Sequence, residues 1–368
     1  MKTSTLGVVA PVFLLHLSSA TLAAGLDRTN QPIGILFENG NYVEFSFGRT
    51  DPSGHGVDSG FDTDTGDVLG GFNLPGAGIK LQLTDKLSAA LIYDKPWGAN
   101  TAFPGEVGNT TSMLGGTRAF AESDALTGVL RYKFNESWSV HGGLRYQEIA
   151  GNITLSGLAY GPANGYNVAL ERDGGVGWLV GGAYERPDIA MRLAVTYNSE
   201  VDHDFPSREN IAPGVTSITE ATTAQSVNID FQTGITPKTL LLANVRWADH
   251  TVTDLVPTAL GSDLINLDNA VTYALGVAHR FNERWVGSVS FAYDDVDGDN
   301  VVSPLSPIHG YRAITLGLRY ENDNMRISGG LRYTELGDAL AAPGGGTVRA
   351  RFDDSDAISL GIKVGFSF

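Results

Sequence analysis

The chain has 368 residues, 46 of them Gly and none Cys, and a formal net charge of −16. An acidic chain without a Lys/Arg cluster is a poor partner for nucleic acid, because phosphate attraction needs clustered bases. The lack of Cys removes disulfides and thiolate metal sites, and 42% hydrophobic with 18% charged residues is neither disordered nor strongly apolar.

In chain order, the first element is an export signal. Lys2 precedes an apolar run, Leu6 to Leu17, and small residues follow to Ala23-Ala24. That charged, apolar, small order predicts a secretory signal peptide over residues 1–24 rather than a short buried helix. No other stretch reaches the roughly 18 apolar residues of a membrane helix.

From Asn41 onward, strand-like runs alternate with two kinds of connection. The short, polar kind comprises Thr84-Asp85-Lys86, Asn135-Glu136-Ser137, Arg186-Pro187-Asp188, Thr236-Pro237-Lys238, Asn282-Glu283-Arg284 and Asn322-Asp323-Asn324, all tight-turn sequences. The long kind is rich in Gly, Pro, Asp and Thr and lies near 50–66, 96–120, 150–172, 202–222, 250–268, 295–310 and 337–349. Six short turns and seven long loops alternate strictly, which predicts fourteen strands. Short turns at one rim and long loops at the other are the habit of outer-membrane barrels.

The runs have a period of two. Trp138, Val140, Leu144 and Tyr146 share one face, and Ser139, His141, Arg145 and Gln147 the other. The same split opposes Met325, Ile327, Leu331 and Tyr333 to Arg326, Ser328, Arg332 and Thr334, and puts Trp285, Val289, Phe291 and Tyr293 together. Neighbouring residues of a strand point to opposite faces. In a soluble β-sandwich the apolar face would turn inward. Here Tyr146, Trp247, Tyr293 and Tyr333 each follow the centre of a short turn by ten residues, a climb of about 25 Å at ~40° tilt, the height of the apolar band between two aromatic girdles. Phe134, Trp138, Tyr184, Phe281, Trp285 and Tyr320 supply the lower girdle. Arg131, Arg145, Arg192, Arg246, Arg280, Arg319, Arg326 and Arg332 lie on the opposite face; a soluble core could not hold them, but a wet lumen can. The end, Ile358 to Phe368, alternates in the same way and closes on an aromatic residue. The reading is all-β: a transmembrane antiparallel β-barrel of 14 strands over residues 41–368, in the bacterial outer membrane.

Several stretches resemble the FadL/TodX (OMPP1) family of outer-membrane transporters of long-chain fatty acids and other hydrophobic compounds. They are Leu331-Arg332-Tyr333-Thr334-Glu335-Leu336-Gly337-Asp338-Ala339 with the closing strand, Leu275 to Trp285 running on to Tyr293-Asp294-Asp295, Pro237 to Trp247, and Leu87 to Asp94 followed by Lys95-Pro96-Trp97-Gly98. The resemblance implies that the first mature residues fold back as a plug. Residues 25–40 stand in that place, with the apolar Ile33, Ile35, Leu36 and Phe37, although the segment is short and lacks the family's Asn-Pro-Ala motif. It also implies passive transport: capture by outer loops, binding in a lumen pocket and lateral release. Phe103, Met113, Leu114, Phe120, Leu255, Leu260, Leu264 and Ile265 are the apolar loop residues for capture, or else pack the loops together. Arg145, Arg246 and Arg332 are the bases that a fatty carboxylate would meet, or else pair with lumen acids such as Glu44 and Asp230.

Other chemistry is weak. Asp294-Asp295-Val296-Asp297-Gly298-Asp299-Asn300 lacks the Gly and Glu spacing of an EF-hand loop, and reads as a loose divalent-ion site or a solvated acidic loop. Asp202-His203-Asp204 reads as solvated. No Ser/His or Asp/His spacing points to an enzyme, and no metal or cofactor is expected. The expected function is transport of hydrophobic compounds, long-chain fatty acids first and aromatic hydrocarbons second. A general porin or an outer-membrane lipase or protease are the alternatives. Expected partners are those cargoes, outer-membrane lipid and lipopolysaccharide, and the outer-membrane assembly machinery. A closed barrel needs no second copy to cover its edges.

Overall fold

The computed structural model describes residues 26–265, 267–294 and 300–368; the signal segment 1–24 and the acidic run 295–299 lie outside them. The alternating sequence forms fourteen antiparallel wall strands. They are β1 (Tyr42–Ser53), β2 (Phe72–Gln82), β3 (Leu87–Asp94, resuming at Gly98–Ala102), β4 (Arg118–Lys133), β5 (Trp138–Leu155), β6 (Tyr166–Arg186) and β7 (Met191–Asn198, resuming at Val201–Glu209). There follow β8 (Ser217–Thr223, resuming at Gln225–Thr236), β9 (Thr239–Asp249), β10 (Ala270–Arg280), β11 (Trp285–Asp294), β12 (Tyr311–Asn322), β13 (Met325–Leu336) and β14 (Asp356–Ser367). Each strand pairs with the next, and β1 also pairs with β14 from Tyr42 with Ser367 to Ser53 with Asp356, which closes the barrel. Closure satisfies the ladder hydrogen bonds that an open edge would leave bare in lipid.

The faces fall as the period of two requires. Leu144 is 64% exposed, whereas the adjacent Arg145 is 3% exposed. Phe45, Phe47, Trp138, Phe281, Leu331 and Tyr333 face outward, and Arg131, Arg192, Arg319 and Arg332 are buried inside. In water an outer face of this kind would be an unsheltered apolar patch; against lipid tails it is the solvated surface. Inside, packing is close enough to need glycine: a Cβ on Gly181 would sit 2.3 Å from Nε2 of His141.

The short turns fall where the sequence puts them, but the long loops are shorter than it suggests. β5 continues to Leu155 and β6 starts at Tyr166, inside the span 150–172; likewise Val201–Glu209 and Ser217–Thr223 are strands within 202–222. Beyond the lipid a strand has water on its outer side, so it loses apolar alternation and accepts Gly, Asn and Thr, the residues that read as loop. The remaining loops build a roof. Residues 301–302, 339–341, 350–352, 55–58 and 63–67 form a five-stranded sheet in that order, packed over an apolar core that includes Val68, Phe103, Leu114, Tyr311 and Phe352.

Val289→Arg sets a charge near mid-height on the lipid face, four residues from both Trp285 and Tyr293. The expected loss is about 2–4 kcal/mol, read by reversible urea unfolding in phospholipid vesicles. Unchanged stability would mean that this face does not meet lipid.

Candidate functional site

The residues before β1 turn back into the lumen. Gly34–Phe37 form a single 3-10 turn, and Ile33, Ile35, Leu36 and Phe37 are all buried. Phe37 lies between two guanidinium groups, with Arg131 and Arg192 each 4.5 Å from its ring centroid and His141 edge-on. Glu38 pairs with Arg326 of β13. These partners all point inward from different strands, so the segment crosses the lower lumen. On its β13–β14–β1 side lies a cavity that touches Glu38, Glu44, Arg319, Arg326 and Lys363.

Higher up, the segment is fixed by a buried ion pair. Both carboxylate oxygens of Asp27 accept from Arg246 of β9, at 2.9 and 3.2 Å. Arg246 also donates to Ser226 Oγ at 3.0 Å and Asn228 Oδ1 at 3.1 Å, and His250 Nε2 stands 3.7 Å from Asp27. Asp27 and Arg246 are 1% and 2% exposed, so each is the other's replacement for water. Bidentate geometry and the added hydrogen bonds are what let such a pair offset its desolvation.

Beside this pair the wall is broken. β3 stops at Asp94 and resumes at Gly98, and Pro96 in between has no N–H for the ladder. β2 pairs with β3 only from Ala77 onward, so Phe72–Gly76 have β1 on one side and no strand on the other. The N-terminal segment pairs instead with the interrupted stretch of β3: Arg28 N–H donates to Pro96 O at 2.8 Å, Gly98 N–H donates to Leu26 O at 2.9 Å, and Asp27 bridges Trp97. Arg28 reaches across to β2, its guanidinium 4.0 Å from the Phe72 ring centroid. The cavity in the break touches Arg28, Phe72, Trp97 and the outward-facing Phe47 and Phe120.

Inside the break lies a cavity between Leu26, Trp97, Ala119, Ile149, Ile153, Leu170, Phe205, Leu255, Ile265 and Leu305. Its surface is almost wholly carbon. Among the described residues no Lys or Arg lines it; its ionisable neighbours are Glu122, His203 and His250. Trp97, Gly98, Ala99, Phe120, Ala121 and Glu122 border both this cavity and the break.

The residues expected from sequence are therefore distributed. Phe120 and Ile265 line the cavity, and Leu260 and Leu264 pack on the cluster behind it. Phe103 and Leu114 are buried in the roof core with Met113 against it, so these three join loops to one another. Arg145 donates to Thr127 and Asn198, Arg332 donates to Thr334 and lies 5.1 Å from the Tyr311 ring, and Arg246 holds Asp27; none reaches the cavity. Arg246 thus takes its acid from the N-terminal segment, while Glu44 pairs with Lys363 and Asp230 accepts from Asn244. His203 is a correction: it is buried on β7, Nδ1 3.3 Å from Asp173 and Nε2 3.1 Å from Gln147, not solvated in a loop. Sequence does not single out Leu26 and Asp27, and it offers Trp97 only within the family-like run Lys95-Pro96-Trp97-Gly98.

Comparison with known proteins agrees with this geometry. The family described as "Outer membrane protein transport protein (OMPP1/FadL/TodX)" matches residues 21–333. No curated protein matches the chain. Among solved structures, a Pseudomonas aeruginosa FadL homologue superposes with TM-score 0.70 at 14% identity over 92% of each chain. The P. putida toluene transporter TodX gives 0.63 at 14% over 90% of each, and the Ralstonia pickettii toluene transporter TbuX 0.62 at 10% over 90% of each. At such identities the likeness is one of fold.

Asp27→Asn leaves Arg246 buried without its counter-charge. The expected cost is about 3–5 kcal/mol, seen as lost hydrogen-exchange protection across residues 26–38 while the wall strands keep theirs. Replacing both partners, as Asp27→Leu with Arg246→Met, is expected to restore part of that protection.

Proposed function

The chain belongs to the outer membrane protein transport protein family (OMPP1/FadL/TodX), and on that premise we propose that it carries small uncharged hydrophobic molecules through the wall rather than down the lumen. It is an outer-membrane β-barrel of a transporter family for hydrophobic compounds. One observation carries that reading: an apolar cavity abuts the break in the wall and shares its border residues.

The outer leaflet of lipopolysaccharide resists apolar solutes, so a protein route must supply a continuous apolar surface. Exposed Leu158, Ile211, Val215 and Ile218 on the outer loops offer first contact. The cavity then removes the solute from water, which favours it by roughly 25 cal/mol per Å² of apolar surface buried. The residues before β1 act as a plug, and the way out is sideways past Trp97 and Arg28, toward lipid at Phe47 and Phe120.

Two features favour uncharged cargo over the long-chain fatty acids that the sequence put first. A carboxylate in a carbon-lined cavity pays a large desolvation cost unless a base meets it; Arg145 and Arg246 are engaged elsewhere, and Arg332 does not line the cavity. TodX and TbuX, the two toluene transporters of like fold, make single-ring aromatic hydrocarbons the natural first test. A general porin is less well supported, because the segment 26–41 crosses the lumen.

Cells of a Gram-negative host lacking such transporters, with and without this protein, are expected to differ several-fold in uptake of labelled toluene. Oleate uptake is expected to change little, and single-channel conductance of the purified barrel to be small. Protein-dependent oleate uptake at the toluene rate would overturn the choice of cargo; a large steady conductance would overturn the plugged route.

A further inference from the structure

Trp97 stands where the proposed route passes from the lumen cavity to the break. It is 6% exposed, lies in the interruption of β3, and borders both the lumen cavity and the break. Its main chain is held to β4: the N–H donates to Ser123 Oγ at 2.8 Å, and the same hydroxyl donates to Trp97 O at 2.7 Å. Its indole N–H donates to Gln147 Oε1 of β5 at 2.9 Å. Gln147 is itself fully buried; its Nε2 donates to Thr223 Oγ1 at 3.1 Å and lies 3.1 Å from His203 Nε2. His250 packs edge-on to the indole with centroids 5.6 Å apart. Trp97 is thus tied by its main chain to β4 and by its indole to β5, through Gln147 to β7 and β8, and is packed by His250 just past the end of β9.

An indole that only filled space beside an apolar cavity would need its N–H satisfied once. Here the acceptor is a glutamine whose other atoms are also engaged, which fixes the acceptor and so fixes the ring. A large, flat, immobile group between two cavities sets the width of whatever passes between them. A wall made of Ala99, Ala121 and Ala224 alone, the small residues around it, would set none.

We propose that the Trp97 indole is the selectivity gate of the lateral route, discriminating among uncharged hydrophobic molecules by cross-section, and that Gln147 is the positioning residue that holds it across the junction. The proposal rests on the transport reading above.

The test is uptake of a graded set, ethylbenzene, naphthalene and phenanthrene, by cells carrying wild type, Trp97→Ala, Trp97→Phe, Gln147→Leu and the Trp97→Phe/Gln147→Leu pair. Each variant is first checked for the heat-modifiable migration of a folded barrel. Trp97→Ala is expected to raise the naphthalene-to-ethylbenzene uptake ratio at least fivefold, and Trp97→Phe by less. Gln147→Leu is expected to move the ratio in the same direction in wild type but not in Trp97→Phe, which has no N–H to position. That loss of effect is a result that a space-filling role would not give. If Trp97→Ala does not fold, the Trp97→Phe and Gln147→Leu cycle decides the matter alone. A ratio unmoved by any folded variant, or a Gln147→Leu effect that persists in Trp97→Phe, overturns the gate and leaves transport standing. A wild-type protein that speeds uptake of none of the three overturns the transport reading, and the gate with it.

Discussion

Everything in this molecule depends on pairing the backbone. In lipid an unpaired N–H or C=O has no water to turn to, so a spanning sheet must close on itself. Fourteen strands do so, from β1 round to β14 and back to β1. The break at Lys95–Trp97 is a departure from that rule, and it is partly repaired from within: the main chain of Pro96 and Gly98 in β3, which β2 does not reach, is paired by Arg28 and Leu26. The N-terminal segment is therefore both a filling for the lumen and a short substitute strand for the wall. Moving it uncovers an edge, which is why the cavity and the break cannot be considered apart from it.

The lumen charges follow from the same geometry. Strands that turn apolar faces outward must hide their polar residues inside, where Arg side chains find acids, amides and rings. Arg131 meets Glu185 and Phe37, Arg326 meets Glu38, and Arg246 meets Asp27. Two of those acids and that ring come from the segment before β1, so charge pairing seats the segment as well as stabilising the wall. The apolar cavity lies above this charged layer and to one side of it, where Ala, Ile, Leu and Phe come together from β4, β5, β6 and β7.

The strand count and the faces were legible because each residue's neighbour in a strand points the other way, and lipid and lumen impose opposite demands. Leu144 beside Arg145 and Leu331 beside Arg332 are legible from spacing alone. The sites were not. Arg145, Arg246 and Arg332 are alike in sequence, each inward and near the upper girdle, and only the fold shows which carries Asp27. That pairing joins residues 219 apart, and no local pattern encodes it. Phe103, Met113 and Leu114 are apolar and in a loop on sequence alone; that they face the roof core rather than the cavity depends on how loops from both ends of the chain meet. His203 was misread because acids on either side suggest solvent, whereas on a strand those acids face outward and the histidine faces in.

The roof has a consequence for how the barrel comes to be closed. Thr50 and Ser359, whose hydroxyls meet across the β1–β14 seam, are 309 residues apart, so this pairing gains nothing until almost the whole chain is in place. Every other wall pairing joins nearer neighbours and can form hairpin by hairpin. The seam is thus the slow, late event of folding, and during it two bare edges face each other in the membrane. Residues 55–58 and 350–352 continue the same seam above the lipid, tied in turn to 339–341 and 301–302. That sheet stands in water, where unpaired edges cost little, so the seam is clasped from above by a pairing that lipid does not have to shelter.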